Sequence, residues 1–270
     1  MQMLMSNFLK DRKSIREYKN KPVDQKVVNQ LMEYAKSLEN KYQHGFRFVL
    51  FKNGTEIYSK LKGKAGYSGV MIKSPHYIGL EMLNDNVDNT IKAAYAMESL
   101  ISKSTELNLG TCWVSMVNVE NELKKDIYSE IEGKMDFLLA FGYPIPKNPF
   151  KEVYSSSRLP IDEIIFDEKI GNPIELDKLE VRGLSDLFYY VRFAPSSYNS
   201  EPWRFILKDN KVVLTLKNLA KINLTDVGII MYYFEGLANS MGINSKWNLL
   251  EMKEEIFDGV KYTYIGEFDL

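Results

Sequence analysis

Apolar positions recur along this chain with two alternating periods. From Asp24, Val27, Leu31, Tyr34 or Ala35, and Leu38 fall on one stripe, which predicts an amphipathic helix in DQKVVNQLMEYAKSLEN. GFRFVLFKNG then predicts a strand that closes on Asn53-Gly54, a turn signal. SPHYIGLEML predicts a second strand. Asp88 is placed to cap the helix NTIKAAYAMESLISKSTELN, and Gly110 to end it. A charged helix, VENELKKDIYSEI, and a buried strand, MDFLLAFGYP, follow. Later, LDKLEVRGLSDLFYYVRF predicts a helix, and EPWRFILKDNKVVLTL predicts two strands joined around Asp209-Asn210. TDVGIIMYYFEGLANSMGIN predicts a long apolar helix capped by Thr225 or Asp226.

The two halves of this pattern can be overlaid. GFRFVLFKN against PWRFILKDN pairs Phe46 with Trp203, Arg47 with Arg204, Phe48 with Phe205 and Leu50 with Leu207. The preceding helices align Leu31 with Leu187 and Tyr34 with Tyr190. Further on, YAMESL against YYFEGL pairs Glu98 with Glu235, and both helices lead to a tryptophan, Trp113 and Trp247. Three matches in one order point to an internal duplication, with a shorter second half. The expected division is 1–167 for the first half and 168–270 for the second, together forming one globular unit.

Composition narrows the classes. The 270 residues suffice for one large or two small domains, and 45% hydrophobic with 26% charged residues is ordinary globular usage. A net charge of −1 gives no basic surface for nucleic acid or an anionic membrane. The single cysteine, Cys112, excludes an intrachain disulfide or an iron–sulfur cluster held by this chain alone. Two histidines, His44 and His76, argue against a His-rich metal site, and no metal ligands are expected. No apolar run is long enough to span a membrane, and MQMLMSNFLKDRK lacks the apolar centre of a signal peptide. A soluble, cytoplasmic protein is expected. Aromatic content of 13% suits flat ligands and plain core packing alike.

Two stretches carry more chemistry than folding requires. In FAPSSYNSEPWRF, two prolines bracket Ser196, Ser197, Tyr198, Asn199 and Ser200, whereas the overlaid loop, LENKYQHG, has neither a Ser-Ser-x-Asn nor a proline. A solvated turn explains such residues by themselves, but one copy has kept chemistry that the other lacks. At the N-terminus, RKSIREYKNKPV places Arg12 and Arg16 at i, i+4, so that on a helix both would reach one point beside Ser14, a grip for phosphate or a solvated basic helix start.

RKSIREYKNKPV resembles the opening motif of the nitroreductase family of FMN-dependent oxidoreductases. APSSYNSEPWRF is similar to the family's second motif, LNLGTCWV to a third, and Gly142–Pro144 with Arg158 ahead of LPIDEII to its C-terminal passage. The resemblance implies an α+β nitroreductase-like fold with two pseudo-symmetric halves in one chain, its sheets mixed or antiparallel and packed with helices. In ordinary members two chains build each flavin site; here the first motif is in half one and the second in half two. That implies a fused pseudo-dimer, monomeric or weakly associating, with one FMN per chain at the interface of the halves and a second, degenerate site at LENKYQHG.

By motif position, Arg12, Lys13, Ser14 and Arg158 would hold the FMN phosphate, and Arg16 would lie near the ring's N1–C2 edge. Pro195, Ser196, Ser197 and Asn199 would contact the ribityl hydroxyls and ring edge, and the backbone at Val114 and Ser115 would approach N5. The family's glycines after Cys-Trp are replaced here by Ser115-Met116, which narrows that approach. Cys112 reads as a buried small hydrophobe. No side-chain acid, base or nucleophile is required, so no catalytic residue is assigned. The implied activity is hydride transfer from NADH or NADPH to a small electron-poor acceptor such as a nitroaromatic or quinone. A specialised flavin dehydrogenase or reductive-elimination enzyme, and a flavin-binding or redox-sensing protein with little turnover, are the alternatives.

Overall fold

The computed structural model describes residues 5–67, 69–146, 157–218 and 222–270. Along the chain these form α1 (Met5–Asp11), α2 (Gln25–Lys41), β1 (Phe46–Phe51), α3 (Gly54–Leu61), β2 (His76–Met82), α4 (Val87–Glu106), β3 (Gly110–Ser115), α5 (Asn121–Ile127) and β4 (Lys134–Gly142). There follow α6 (Ile161–Ile164), β5 (Ile165–Asp167), α7 (Leu176–Val181), α8 (Ser185–Val191), β6 (Trp203–Leu207), β7 (Lys211–Asn218), α9 (Leu224–Ser240), β8 (Trp247–Leu249), β9 (Glu254–Phe257) and β10 (Val260–Asp269). The class is α+β, with antiparallel and mixed sheets packed with helices. Two compact units divide the chain: Lys13–Val153, and Met1–Arg12 with Tyr154–Leu270. The division does not fall between 167 and 168, because β5 pairs in parallel with β6, Ile165 opposite Phe205, and so belongs with the later strands.

In the Lys13–Val153 unit the strands run in the order β1-β2-β4-β3, all antiparallel. Tyr77 and Ile78 of β2 and Leu138, Leu139, Ala140 and Phe141 of β4 are fully buried at the centre. Helix α2 buries Val28, Leu31, Ala35 and Leu38, so Val28 rather than Val27 completes the stripe; it stands three residues before Leu31 and seven before Ala35, in helical register. Asn86, not Asp88, caps α4: its side chain accepts from Asn89 N at 2.8 Å, and Asp88 instead pairs with Lys92 one turn on. Asn53-Gly54 does not make a simple turn either, since Asn53 caps α3. Gly110 opens β3 rather than ending α4, which stops at Glu106 with Asn108 in the left-handed region (φ 60°). A Cβ at Gly110 would meet Ile15 Cβ at 2.8 Å, so the glycine is there for close approach.

Two buried carboxylates of this unit are tied to backbone. Glu81 of β2 is fully buried and accepts from the amides of Glu132 and Gly133, both at 2.7 Å, while Arg47 pairs with it from the opposite position on β1. Glu39 of α2 accepts from Phe48 N at 2.7 Å and so closes part of the outer edge of β1.

The other unit has its own sheet, β5-β6-β7-β10-β8, with β9 paired to β10. The stretch read as one helix is two, α7 and α8, broken at Gly183 (φ 67°). Strands β6 and β7 form the expected hairpin, Phe205 opposite Leu214. Asn223, whose side chain accepts from Thr225 N at 3.1 Å, caps α9 in place of Thr225 or Asp226. Phe188, Phe205, Phe234 and Phe268 pack ring against ring, with centroids 5.2 to 5.9 Å apart. Helix–strand–strand–helix–strand–strand recurs as α2, β1, β2, α4, β3, β4 and as α8, β6, β7, α9, β8, β10. Both sets use the same strand order, and β5 is added outside β6.

His76 is 7% exposed; its Nε2 accepts from Val23 N at 3.0 Å and its Nδ1 meets Lys52 O at 2.8 Å, an arrangement that requires the neutral ring with its proton on Nδ1. Burial accordingly holds its pKa below 6.5. As pH falls below the unfolded value, the unfolded chain takes up the proton first, so stability falls with pH in that range. Urea midpoints should drop between about pH 7 and 5, and His76→Gln should remove that component of the drop.

Candidate functional site

The stretch between α8 and β6 folds into a tight turn with a 3₁₀ segment at Ser197–Asn199. Three of its residues, Tyr198 (φ 59°), Asn199 (φ 53°) and Glu201 (φ 43°), are left-handed although none is glycine. Such a backbone persists only where its surroundings over-determine it. Here Ser196 Oγ accepts from Glu201 N at 3.0 Å, and Ser197 N donates to Asp226 Oδ1 at 2.9 Å. Asn223 Nδ2 donates to Ser197 Oγ at 2.7 Å. Glu201, 5% exposed, accepts from Leu159 N at 3.0 Å and pairs with Arg158 at 3.4 Å; Arg158 also reaches Asn199 Oδ1 at 3.4 Å. Arg158, Ser196, Ser197 and Asn199 are thus brought together, beside the half-buried Pro195. Nε of Arg158 is buried without a partner among the described residues.

The remaining motif residues, apart from Arg12, belong to the other unit. Residues 12–16 are not helical: α1 ends at Asp11, after which Ile15 N donates to Thr111 O at 2.8 Å and lays the segment along the start of β3. The shared helical face of Arg12 and Arg16 is therefore not formed. Lys13 and Arg16 are exposed, and Arg12 and Ser14 half-buried. Tyr18 then anchors the segment, its hydroxyl within 2.7 Å of Ile15 O and 3.1 Å of Ala140 O. Lys13, Ser14 and Arg16 flank one end of β3, while Val114 and Ser115 lie at the other, about 13 Å along the strand at 3.3 Å per residue. Val114 is buried, and Ser115 O accepts from Gly66 N at 2.8 Å. Met116 is 1% exposed and packs in the core. Cys112 is likewise buried.

A cavity of about 570 Å³ opens beside β1, lined by Lys36, Glu39, His44, Arg47 and Tyr128 among others. No motif residue lines it. Glu39 and His44 come from LENKYQHG, the segment that overlays the serine turn, and Gln43 and His44 are left-handed too (φ 57° and 56°). Its charges are already matched, Lys36 with Glu39 and Arg47 with Glu81 and Glu132, which leaves little to recognise a ligand. Among the described residues no His, Cys, Asp and Glu cluster could hold a metal, and no helix is long and apolar enough to cross a membrane.

The family model described as "Putative TM nitroreductase" matches residues 5–238. The chain belongs to this nitroreductase family. Among solved structures it is similar to the "putative nitroreductase" of Thermotoga maritima MSB8, with 18% identity, 98% of this chain and 94% of that one covered, and a TM-score of 0.56. That likeness is one of fold. A nitroreductase with bound FMN from Bacteroides fragilis NCTC 9343 matches 57% of this chain and 95% of its own at 16% identity, TM-score 0.46. An FMN-dependent nitroreductase from Clostridium difficile R20291 matches 55% and 90% at 20% identity, TM-score 0.45. No curated protein matches the chain.

Sequence reasoning assigned no part in this turn to Glu201, or to Asp226 of α9, which it named only as a helix cap. Glu201 lies inside the quoted motif, but nothing local shows that it folds back on Arg158. Replacing it with alanine would strand a largely buried guanidinium and the Leu159 amide. Glu201→Ala should therefore lower unfolding free energy by about 3–5 kcal/mol in urea titrations, with a smaller loss for Glu201→Gln, which keeps an acceptor for Leu159 N.

Proposed function

We propose that this nitroreductase-family chain binds FMN and moves hydride from NADH or NADPH to a small electron-poor acceptor, nitroaromatic or quinone-like. The observation that carries the reading is the gathering of Arg158, Ser196, Ser197 and Asn199 at one over-determined turn, in a chain whose family match runs from 5 to 238. The buried Nε of Arg158, without a partner among the described residues, is the kind of donor that a phosphate oxygen would satisfy, and the hydroxyl and amide groups beside it suit a polyol. The donor set fits the cofactor.

Bound FMN would supply the hydride-accepting and hydride-donating centre, and the protein binding, orientation and electrostatics. In this reading Arg12, Lys13, Ser14 and Arg158 hold the phosphate. Arg16 sets a positive charge near the N1–C2 edge of the ring, favouring the negative charge that reduction brings there. Pro195, Ser196, Ser197 and Asn199 meet the ribityl hydroxyls and ring edge. The backbone at Val114 and Ser115 would approach N5. β3 is an edge strand, and the bond from Gly66 N to Ser115 O marks Ser115 as a residue whose carbonyl is on the outer side of that edge. Met116 is buried in the core, so with the family's glycines replaced Ser115 would be the residue nearer the ring. The recurrence of one strand order in both units supports a duplicated chain.

The visible spectrum of the purified protein, with released flavin quantified, tests the reading: about one FMN per chain is expected, together with NADH or NADPH oxidation above that of free FMN. Arg16→Ala, at an exposed position, should leave folding intact and weaken FMN binding about tenfold or more, the scale of a lost charged contact. Absence of flavin even after incubation with excess FMN overturns it.

A further inference from the structure

Asp226 has no part in the function so far, yet it is one of the most buried charged residues of its unit. It stands in the first turn of α9 and is 1% exposed. An acidic residue there can favour the helix dipole from an exposed position, and the cap is already supplied by Asn223. Burying a carboxylate is costly unless it is hydrogen-bonded, so its burial needs another reason. Its partners are all in or behind the serine turn: the Ser197 amide at 2.9 Å, the Ser197 hydroxyl and the Asn223 side chain.

We propose that Asp226 is a positioning residue for the flavin, its carboxylate fixing Ser197 and with it the left-handed turn through Tyr198 and Asn199. This rests on the function proposed above and deepens it. A serine hydroxyl has one proton and two lone pairs. Asn223 Nδ2 takes one of those lone pairs, which leaves Ser197 Oγ one acceptor position, suited to a donor on the ligand such as a ribityl hydroxyl.

The arrangement is strongest while Asp226 is ionised, because the carboxylate accepts from Ser197 N through either oxygen whereas the protonated group keeps one acceptor and gains a donor. Burial pushes its carboxyl up to about 6, against the opposing pull of the Ser197 and Asn223 hydrogen bonds. These effects together set its titration. Glu201 and Arg158 pair with each other at the far end of the turn; of the helices α8 and α1, both packed against α9, α8 carries Asp186, which is exposed, and is followed by Arg192, which lies over Tyr189, and α1 carries Lys10 and Asp11. A protonated Asp226 becomes a donor and competes for the lone pairs of Ser197, so the positioned form is favoured above about pH 6 and weakens as pH falls through that value.

FMN dissociation constants from fluorescence quenching between about pH 5 and 8, for the wild type and Asp226→Asn, test the proposal. The phosphate of FMN titrates near 6 as well, but equally in both proteins, so the difference between them is decisive. Wild-type affinity should fall about tenfold more steeply across pH 6 than that of Asp226→Asn, which should bind weakly throughout. Identical affinities and profiles overturn the proposal. If Asp226→Asn does not fold, riboflavin, which lacks the phosphate, is titrated against the wild type alone, and a flat profile overturns it. Amide exchange of the flavin-free wild type separates this from failure of the functional reading: should no flavin bind, faster exchange of Ser197 N at pH 5 than at pH 7.5, beyond the intrinsic rate change, upholds the role of Asp226, and equal protection overturns it.

Discussion

A carboxylate taken out of water must be met by hydrogen-bond donors, and for four buried carboxylates of this protein backbone amides are among those donors. Glu39 receives Phe48 N, Glu81 receives the amides of Glu132 and Gly133, Glu201 receives Leu159 N, and Asp226 receives Ser197 N. Two of them, at Glu81 and Asp226, join a strand or helix to a loop or turn, the one at Glu39 joins α2 to β1, and the one at Glu201 joins two irregular segments. Because an unpaired buried amide and an unpaired buried carboxylate are both costly, each satisfies the other's need, and the segments so joined have little freedom to move. The serine turn is held by two such contacts, one at Ser197 and one at Glu201. That accounts for a turn with three left-handed residues and no glycine.

The same logic separates the two loops that follow α2 and α8. Both carry left-handed residues and both precede the first strand of a sheet with the same strand order. Beside the later loop, β5 occupies the outer edge of β6 and Glu201 faces outward from the strand to Arg158 and Leu159. Beside the earlier one, Glu39 takes the amide of Phe48 and Lys36 takes Glu39. The earlier loop is closed on itself by charge matched within its own unit, whereas the later one keeps a guanidinium whose Nε has no partner among the described residues. The asymmetry first visible as Ser-Ser-x-Asn against Tyr-Gln-His is thus one of hydrogen-bond supply.

The hairpin β6–β7, the strands β1, β2 and β4 and the long helices α2, α4 and α9 were legible because each pairs a clear period with enough length to bury its apolar face. Short elements were not. Helix α3 was hidden behind an Asn-Gly that reads as a turn, and β5, β8 and β9 are too short for a period to establish itself. Caps were displaced by two or three residues, as with Asn86 and Asn223, because Ser, Thr, Asp and Asn are interchangeable at that level and only the backbone angle at the boundary selects among them. The family and its fold were legible in RKSIREYKNKPV and FAPSSYNSEPWRF, which name residues in a fixed order.

Sequence by itself therefore determined the residue types available for recognition, the two-fold recurrence of elements and the family. These depend on order along the chain and on local period. Tertiary structure decided which of those residues meet. Ile15 reaches Thr111, so the basic segment follows β3 instead of forming a helix, and Glu201 and Asp226 come under the serine turn from positions whose local sequence marks them only as solvent-facing or as a helix cap. The physical reason is that a hydrogen bond to a buried backbone amide can be made by any carboxylate that arrives there, and arrival is fixed by the packing of whole elements rather than by neighbours in sequence.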